Sequence, residues 1–428
     1  MKAATRKRAA GRDAVAFAAV VGFTVSVYAS IVHVFPFLEV VRPALLSAAV
    51  GFGALMIGRV SGGLPLTVDG VRGVALLGLC VWTALSPRWS VRPEVSARSA
   101  LELIKLAGIY LTIINVVSSR KRLAILSGAA VIASLAPSLG TIDHWRNEID
   151  LVEGFRAAWE GVYEDPNHLA MSLVAIVPVA AVFALHSPSI LMRVLGALAA
   201  GTGVTAIILT HSRGGALGLA LALTLWALSG TKKMRSLAAA IAVVAAVAIY
   251  APSSFWTRTE SISSFERDLS AQGRIWAWEV ASAISKDRPI AGVGAGAFQF
   301  AWAEYAPRIA RDMPLVAHNI FLAVLGELGL VGFALLMIFV GSALAGAAAA
   351  WKDPVAGGLA RALSAGLAGY LLCDMLSGYV LSAHFFLLVA LSASCERLIG
   401  QPEQVPSSRR AHRACVPAGG SRADETRA

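Results

Sequence analysis

Apolar residues in this chain gather into long runs, separated by short stretches of arginine, lysine, serine, glycine and proline. The runs cover 14–32, 42–58, 71–85, 100–117, 123–139, 169–185, 191–210, 214–228, 237–250, 320–344, 358–373 and 378–394. Their lengths approach the ~17 to 25 residues a helix needs to cross a hydrocarbon core. The pattern predicts an all-α polytopic integral membrane protein of about twelve transmembrane helices. Residues 1–400 form one transmembrane domain on this reading. Residues 401–428, rich in Pro, Ser, Arg and Gly, are expected to be a disordered cytoplasmic tail.

The polar stretches set the orientation. Arg6-Lys7-Arg8, Arg120-Lys121-Arg122, Lys232-Lys233 with Arg235, and Arg409-Arg410 fall on one side if the runs alternate. Excess Lys and Arg marks the cytoplasmic side, so both termini are expected inside. Three longer polar segments, 87–99, 141–168 and 251–317, are then outside, the last of them large enough for short helices. These segments also carry arginines, among them Arg88, Arg92, Arg146, Arg156, Arg274, Arg308 and Arg311. Long loops translocate regardless of charge, and an outer cavity that holds an anion explains the same excess.

Composition narrows the function classes. Of the 428 residues, 57% are hydrophobic, which excludes a soluble globule, and the net charge of +11 is dispersed between runs instead of forming a nucleic-acid footprint. Cys80, Cys373, Cys395 and Cys415 make neither a disulfide framework nor a CxxC pattern. His144, His168, His211 and His384 lack metal-ligand spacing, so no metal site is expected. The basic N-terminus before the first run is read as an uncleaved first span.

The polar junctions hold the candidate chemistry. Thr210-His211-Ser212-Arg213-Gly214-Gly215 is a tight outer turn that puts Arg213 at a helix start, where free N–H groups favour an anion; the alternative is an arginine that snorkels to headgroups. Glu164-Asp165-Pro166-Asn167 reads as a turn and N-cap, with Asp165 also a carboxylate partner for an outer arginine. A helix is predicted over 274–284, carrying Trp276 and Trp278 as interfacial anchors. Gly292-Val293-Gly294-Ala295-Gly296 follows no strand, so it is an irregular turn and not a dinucleotide fingerprint. His318-Asn319 opens the run at 320, placing an imidazole at the membrane surface, where it can act as a base if a hydroxyl is presented to it.

In this order the motifs resemble the O-antigen ligase superfamily, the bacterial membrane glycosyltransferases that include O-antigen ligases, Wzy-type polymerases and protein O-oligosaccharyltransferases. The resemblance rests on Asp165-Pro166-Asn167, Ser212-Arg213-Gly214, Gly273-Arg274-Ile275 with Trp278, Gly292-Val293-Gly294, and His318-Asn319 with Gly329 and Gly332. It implies glycan transfer from a polyprenyl-diphosphate carrier to a glycan, lipid-core or protein hydroxyl. The active face would be the periplasmic face of the inner membrane, with no metal, nucleotide or other cofactor. Arg213 and Arg274 match the family's arginines, for diphosphate binding, and His318 matches its catalytic histidine. Arg311 fits an Arg-x-x-x-Leu pattern with Leu315. With Asp165 and Asn319 it completes the candidate substrate-binding set, and Asp165 and Glu304 are the reserve candidates for a base. Inversion of the anomeric centre is expected, since no pair of carboxylates is placed for double displacement. The competing classes are an anion or small-solute transporter and a non-catalytic assembly component.

Overall fold

The computed structural model describes residues 2–230, 269–349, 351, 357–378 and 382–399, and the regular elements among these are all helices, with no strand. The chain runs as α1 (Lys2–Tyr28), a short α2 (Ile31–Val34), α3 (Pro43–Gly62), α4 (Gly70–Leu85), α5 (Pro93–Val116), α6 (Arg120–Ala133) and α7 (Leu135–Arg146). Then come α8 (Pro166–His186), α9 (Ile190–Leu209) and α10 (Arg213–Ser229). The second half holds α11 (Leu269–Asp287), α12 (Phe298–Tyr305), α13 (Ile320–Ala349), α14 (Gly357–Asp374) and α15 (Ala383–Arg397).

Among the described residues eight helical stretches are long and apolar enough to cross a membrane, Arg120–Arg146 counting as one span across α6 and α7. The chain is a multi-pass membrane protein. The helix α10 is apolar but shorter, and α14 and α15 are buried among the spans, where α14 packs on α8 and α10. The expected span at 237–250, part of the outer loop at 251–268 and the tail at 401–428 lie outside the described residues.

Small side chains and caps explain how the bundle closes. Gly196, Gly218, Gly366 and Gly369 leave no room for a Cβ: one on Gly366 would lie 2.4 Å from the Ala175 carbonyl, so α14 and α8 meet backbone to backbone. Asp165, Ser189 and Ser212 each accept a hydrogen bond from an N–H in the first turn of α8, α9 and α10, satisfying donors that lipid cannot. The Asp165 cap is the one the sequence led us to expect.

Two boundaries differ from the sequence reading. The last span was expected from 378, but α15 starts at Ala383; Gly378 takes φ 79° in a turn that lies against His318 and Asn319. The run at 320–344 is continuous in hydropathy, yet α13 is broken at Gly329, which takes φ 66° and ψ −165°. The break frees carbonyls that the 293–294 segment and Trp82 of α4 use. Val293 N donates to Gly326 O at 3.0 Å, Gly294 N to Glu327 O at 2.8 Å, and Trp82 Nε1 to Leu328 O at 2.8 Å, while Leu330 N donates to Pro289 O at 2.8 Å. Irregular backbone inside a bilayer needs such internal partners. The glycine-rich turn at 292–296 is thus a plug docked into a broken helix.

At the opposite end of the bundle an ionic cluster around the buried Arg72 ties four helices together. Arg72 on α4 bonds Asp69 at 3.0 Å, Glu396 on α15 at 2.7 Å and the Ser342 carbonyl of α13 at 2.8 Å, and Tyr110 of α5 donates to Asp69. A guanidinium with this many acceptors offsets much of the cost of its burial.

Candidate active site

The site forms where α8, α10 and α13 begin. Asn167, in the first turn of α8, is the hub: its Oδ1 accepts from Ser212 Oγ at 2.9 Å and from Arg156 Nη2 at 2.9 Å. The Arg156 guanidinium also donates to the Thr210 carbonyl at 3.0 Å, and Ala157 N to the Leu209 carbonyl at 2.9 Å. The segment before α8 is therefore locked to the α9–α10 turn, and the lock fixes where Arg213 leaves the backbone. Arg213 is half-buried at the first position of α10, with Ser212 Oγ accepting from Gly215 N at 3.1 Å.

The turn that follows α14 gathers the remaining groups. A Cβ on Gly214 would lie 3.5 Å from the Leu376 side chain, and Cys373 Sγ is 3.2 Å from the Gly214 carbonyl, so this turn packs directly on the start of α10. Arg274 on α11 donates from Nε to the Leu376 carbonyl at 3.2 Å. A Cβ on Gly378 would lie 2.7 Å from Asn319 N and 2.9 Å from His318 Cα. One turn thus touches the start of α10, the Arg274 guanidinium and the His318 backbone. His318 and Arg274 interact electrostatically, as do His318 and Asp165.

His318 is half-buried and holds φ 49°, an uncommon left-handed conformation outside glycine. Burial lowers its pKa below the ordinary value and the Arg274 charge lowers it further, against smaller opposing effects of Asp165 and of a hydrogen bond to the Ser377 backbone. The imidazole is accordingly neutral at neutral pH, the state a base requires.

Arg213, Arg274, His318 and Asp165 are therefore at one end of the bundle around shared contacts. Asn319 is buried and caps α13, its Oδ1 accepting from Phe321 N at 2.9 Å and Leu322 N at 3.2 Å, so that oxygen is committed to the helix. Arg311 lies exposed after the 3-10 turn Arg308–Ala310, and Glu304 is exposed on α12. Among the described residues no three His, Cys, Asp or Glu side chains group as a metal would require.

The sequence reading missed the locking role of Arg156 and Asn167 and the whole 374–378 turn. Arg156 is only 5% exposed, and in a polar loop a buried arginine gives no local signal. It also missed Glu327, whose Oε2 accepts from Gly296 N at 2.7 Å and so ties the docked glycine turn to α13.

A cavity of about 350 Å³ adjoins this site at the 316–317 segment before His318 and at Gly378, and is lined also by His168, Ser99, Glu327, Gln299 and the phenylalanines of α12, α13 and α15. No curated protein matches the chain. Residues 197–337, which hold Ser212-Arg213-Gly214, Arg274, His318-Asn319 and the break at Gly329, match the family model described as O-antigen ligase, in agreement with the superfamily the motifs resemble, and the match supports a membrane glycosyltransferase of ligase or polymerase type.

Proposed function

We propose that this protein transfers a glycan from a polyprenyl-diphosphate carrier to an acceptor hydroxyl at the periplasmic face of the bacterial inner membrane. The observation that carries the reading is the 374–378 turn, which contacts the start of α10, Arg274 and the His318 backbone together. A diphosphate leaving group needs cations and oriented N–H donors, and arginine offers a bidentate fork for phosphate. Arg213 at a helix N-terminus and Arg274, bonded to the turn that packs on that N-terminus, supply both. His318, neutral and at the membrane edge, takes or orients the acceptor proton. The acceptor oxygen attacks the anomeric carbon as the bond to the diphosphate oxygen breaks, and the bonding pair leaves on phosphate. Direct displacement of this kind inverts the anomeric centre. Arg311 and Asn319 lie beside this centre in sequence; the exposed Arg311 is suited to the outer part of a long glycan, and Asn319 to holding the His318 turn.

The transporter reading draws no support from the family match, which concerns ligases. Membranes from a source strain lacking this protein hold both donor and acceptor, so purified full-length protein is added to them. Release of free polyprenyl diphosphate, with the glycan appearing on a new species, is the expected result. Unchanged lipid-linked glycan would overturn the reading.

A further inference from the structure

Glu327 has no part in the diphosphate site or in the proton transfer, yet it is an ionisable residue inside a membrane-spanning helix and it lines the cavity that adjoins the His318 site. A carboxylate at that depth is costly, and such residues mark substrate paths. Glu327 is half-buried; its Oε2 accepts from Gly296 N at 2.7 Å, and the Phe298 backbone also acts on the carboxylate. Among the described residues no Lys or Arg forms an ion pair with it. On α4, Ser86 Oγ donates to the Thr83 carbonyl at 2.8 Å and accepts from Ala295 N at 3.3 Å, which fixes Thr83 next to the same glycine turn. Thr83 lines the cavity too, is only 3% exposed, and its Oγ1 has no hydrogen-bond partner. A buried hydroxyl left unbonded calls for a partner from outside the chain.

The lining rules out two occupants. It contains a carboxylate and no Lys or Arg, so it does not hold the diphosphate, which Glu327 would repel. A polyprenyl chain would satisfy Phe298, Phe339, Phe385 and Phe386 but would set the Glu327 carboxylate and the Thr83 hydroxyl against hydrocarbon. A sugar ring suits both parts of the lining. Its C–H face packs on aromatic rings, and its hydroxyls can donate to a carboxylate and bond a threonine oxygen. The volume of about 350 Å³ is near the lower end of the ~300–1,000 Å³ of small-molecule sites, which fits a short saccharide end and not a folded protein segment. We propose that this cavity receives the acceptor as a saccharide, one ring hydroxyl donating to Glu327 and another bonding Thr83, with the reacting hydroxyl at the mouth beside residues 316–317. This rests on the glycosyl-transfer reading above and narrows its acceptor to a sugar, free or carried on lipid, against a protein hydroxyl.

Two conservative variants test the assignment. Glu327→Gln keeps an oxygen for the Gly296 N–H and removes the charge; Thr83→Val removes a hydroxyl that bonds nothing in the protein. Lipid-linked glycan is extracted into organic solvent from the source strain lacking this protein, and the extracted membranes serve as acceptor. Purified full-length protein is titrated with each while release of polyprenyl diphosphate is timed. The half-saturating amount of acceptor membranes is expected to rise ~10-fold or more in Glu327→Gln and roughly 2- to 10-fold in Thr83→Val. The half-saturating donor concentration and the unfolding temperature should stay at the parent's values. Parental acceptor dependence in Thr83→Val would overturn the assignment, and that variant decides alone if Glu327→Gln does not accumulate. A shift in donor dependence with the acceptor's unchanged would overturn it in favour of the polyprenyl chain. Protease treatment of the acceptor membranes should leave transfer intact; its loss would overturn the sugar acceptor in favour of a protein one. Absence of release by the parent protein would overturn the glycosyl-transfer reading and this assignment with it.

Discussion

The break in α13 invites a severe test, Gly329→Ala. At φ 66° and ψ −165° the backbone is in a region that is essentially glycine-only, which costs about 1–3 kcal/mol for a residue with a Cβ. The new Cβ would also stand 2.2 Å from the Ile290 carbonyl and 2.6 Å from Ala291 N, so the chain at 289–291 must move. That movement breaks the registration of Leu330 N on Pro289 O and, with it, Val293 N on Gly326 O and Gly294 N on Glu327 O. Each such bond contributes roughly 0.5–1.5 kcal/mol, and stranded carbonyls in a bilayer cost more. The expected loss is about 3 kcal/mol or more, which corresponds to a ~150-fold shift in the folding equilibrium. The assay is thermal unfolding of purified protein in detergent, paired with polyprenyl-diphosphate release. Gly329→Ala should unfold at lower temperature and lose activity, while Gly341→Ala, with open space around its Cβ position, should change neither. A Gly329→Ala protein as stable as the parent would refute the docked-turn account.

Four further outcomes are expected. His318→Ala should insert and accumulate like the parent and bind donor, while transfer slows by about 10²–10⁴-fold; near-parental turnover would leave His318 a merely interfacial residue. Arg213→Lys and Arg274→Lys should each impair donor binding in a pull-down with polyprenyl diphosphate, because an ammonium cannot reproduce a bidentate fork. Asn167→Ala should cost about 1–3 kcal/mol, read as a lower unfolding temperature, because it strips an acceptor from the buried Arg156. The acid limb of the pH–rate profile should fall below the ordinary histidine range, since His318 must be neutral and its pKa is lowered; in Arg274→Gln, with the neighbouring charge gone, the residual activity should show that limb moved to higher pH.

What could be read from the sequence depended on how local each cause was. Helix starts at Asp165 and Ser212 were legible because a cap acts within three residues. The glycines at 292–296 were recognised as a turn, but hydropathy gave no sign that they dock into α13, because glycine and leucine at 326–332 keep the run apolar whether or not it is helical. Asn319 was read for its polarity and proved to hold the helix it opens. Arg156 and the turn at 374–378 were invisible for a different reason. Their partners are 54 and 102 residues away, in Arg156 to Thr210 and Arg274 to Leu376, and pairing at that range is decided by packing alone.

The cluster at the far end of the bundle has a bearing on how the chain is made. Arg72 enters the bilayer with α4, early in synthesis, while Glu396 arrives on α15, after every other described helix. Until then the guanidinium has Asp69 three residues away as its counter-ion, so the early helix can insert as a locally neutral unit. The last helix then exchanges that provisional state for one in which α4, α5, α13 and α15 are joined at a single point. A ribosome that stops before α15 leaves the first of these helices without its final partner, and such a product should be a substrate for membrane quality control instead of a slow enzyme.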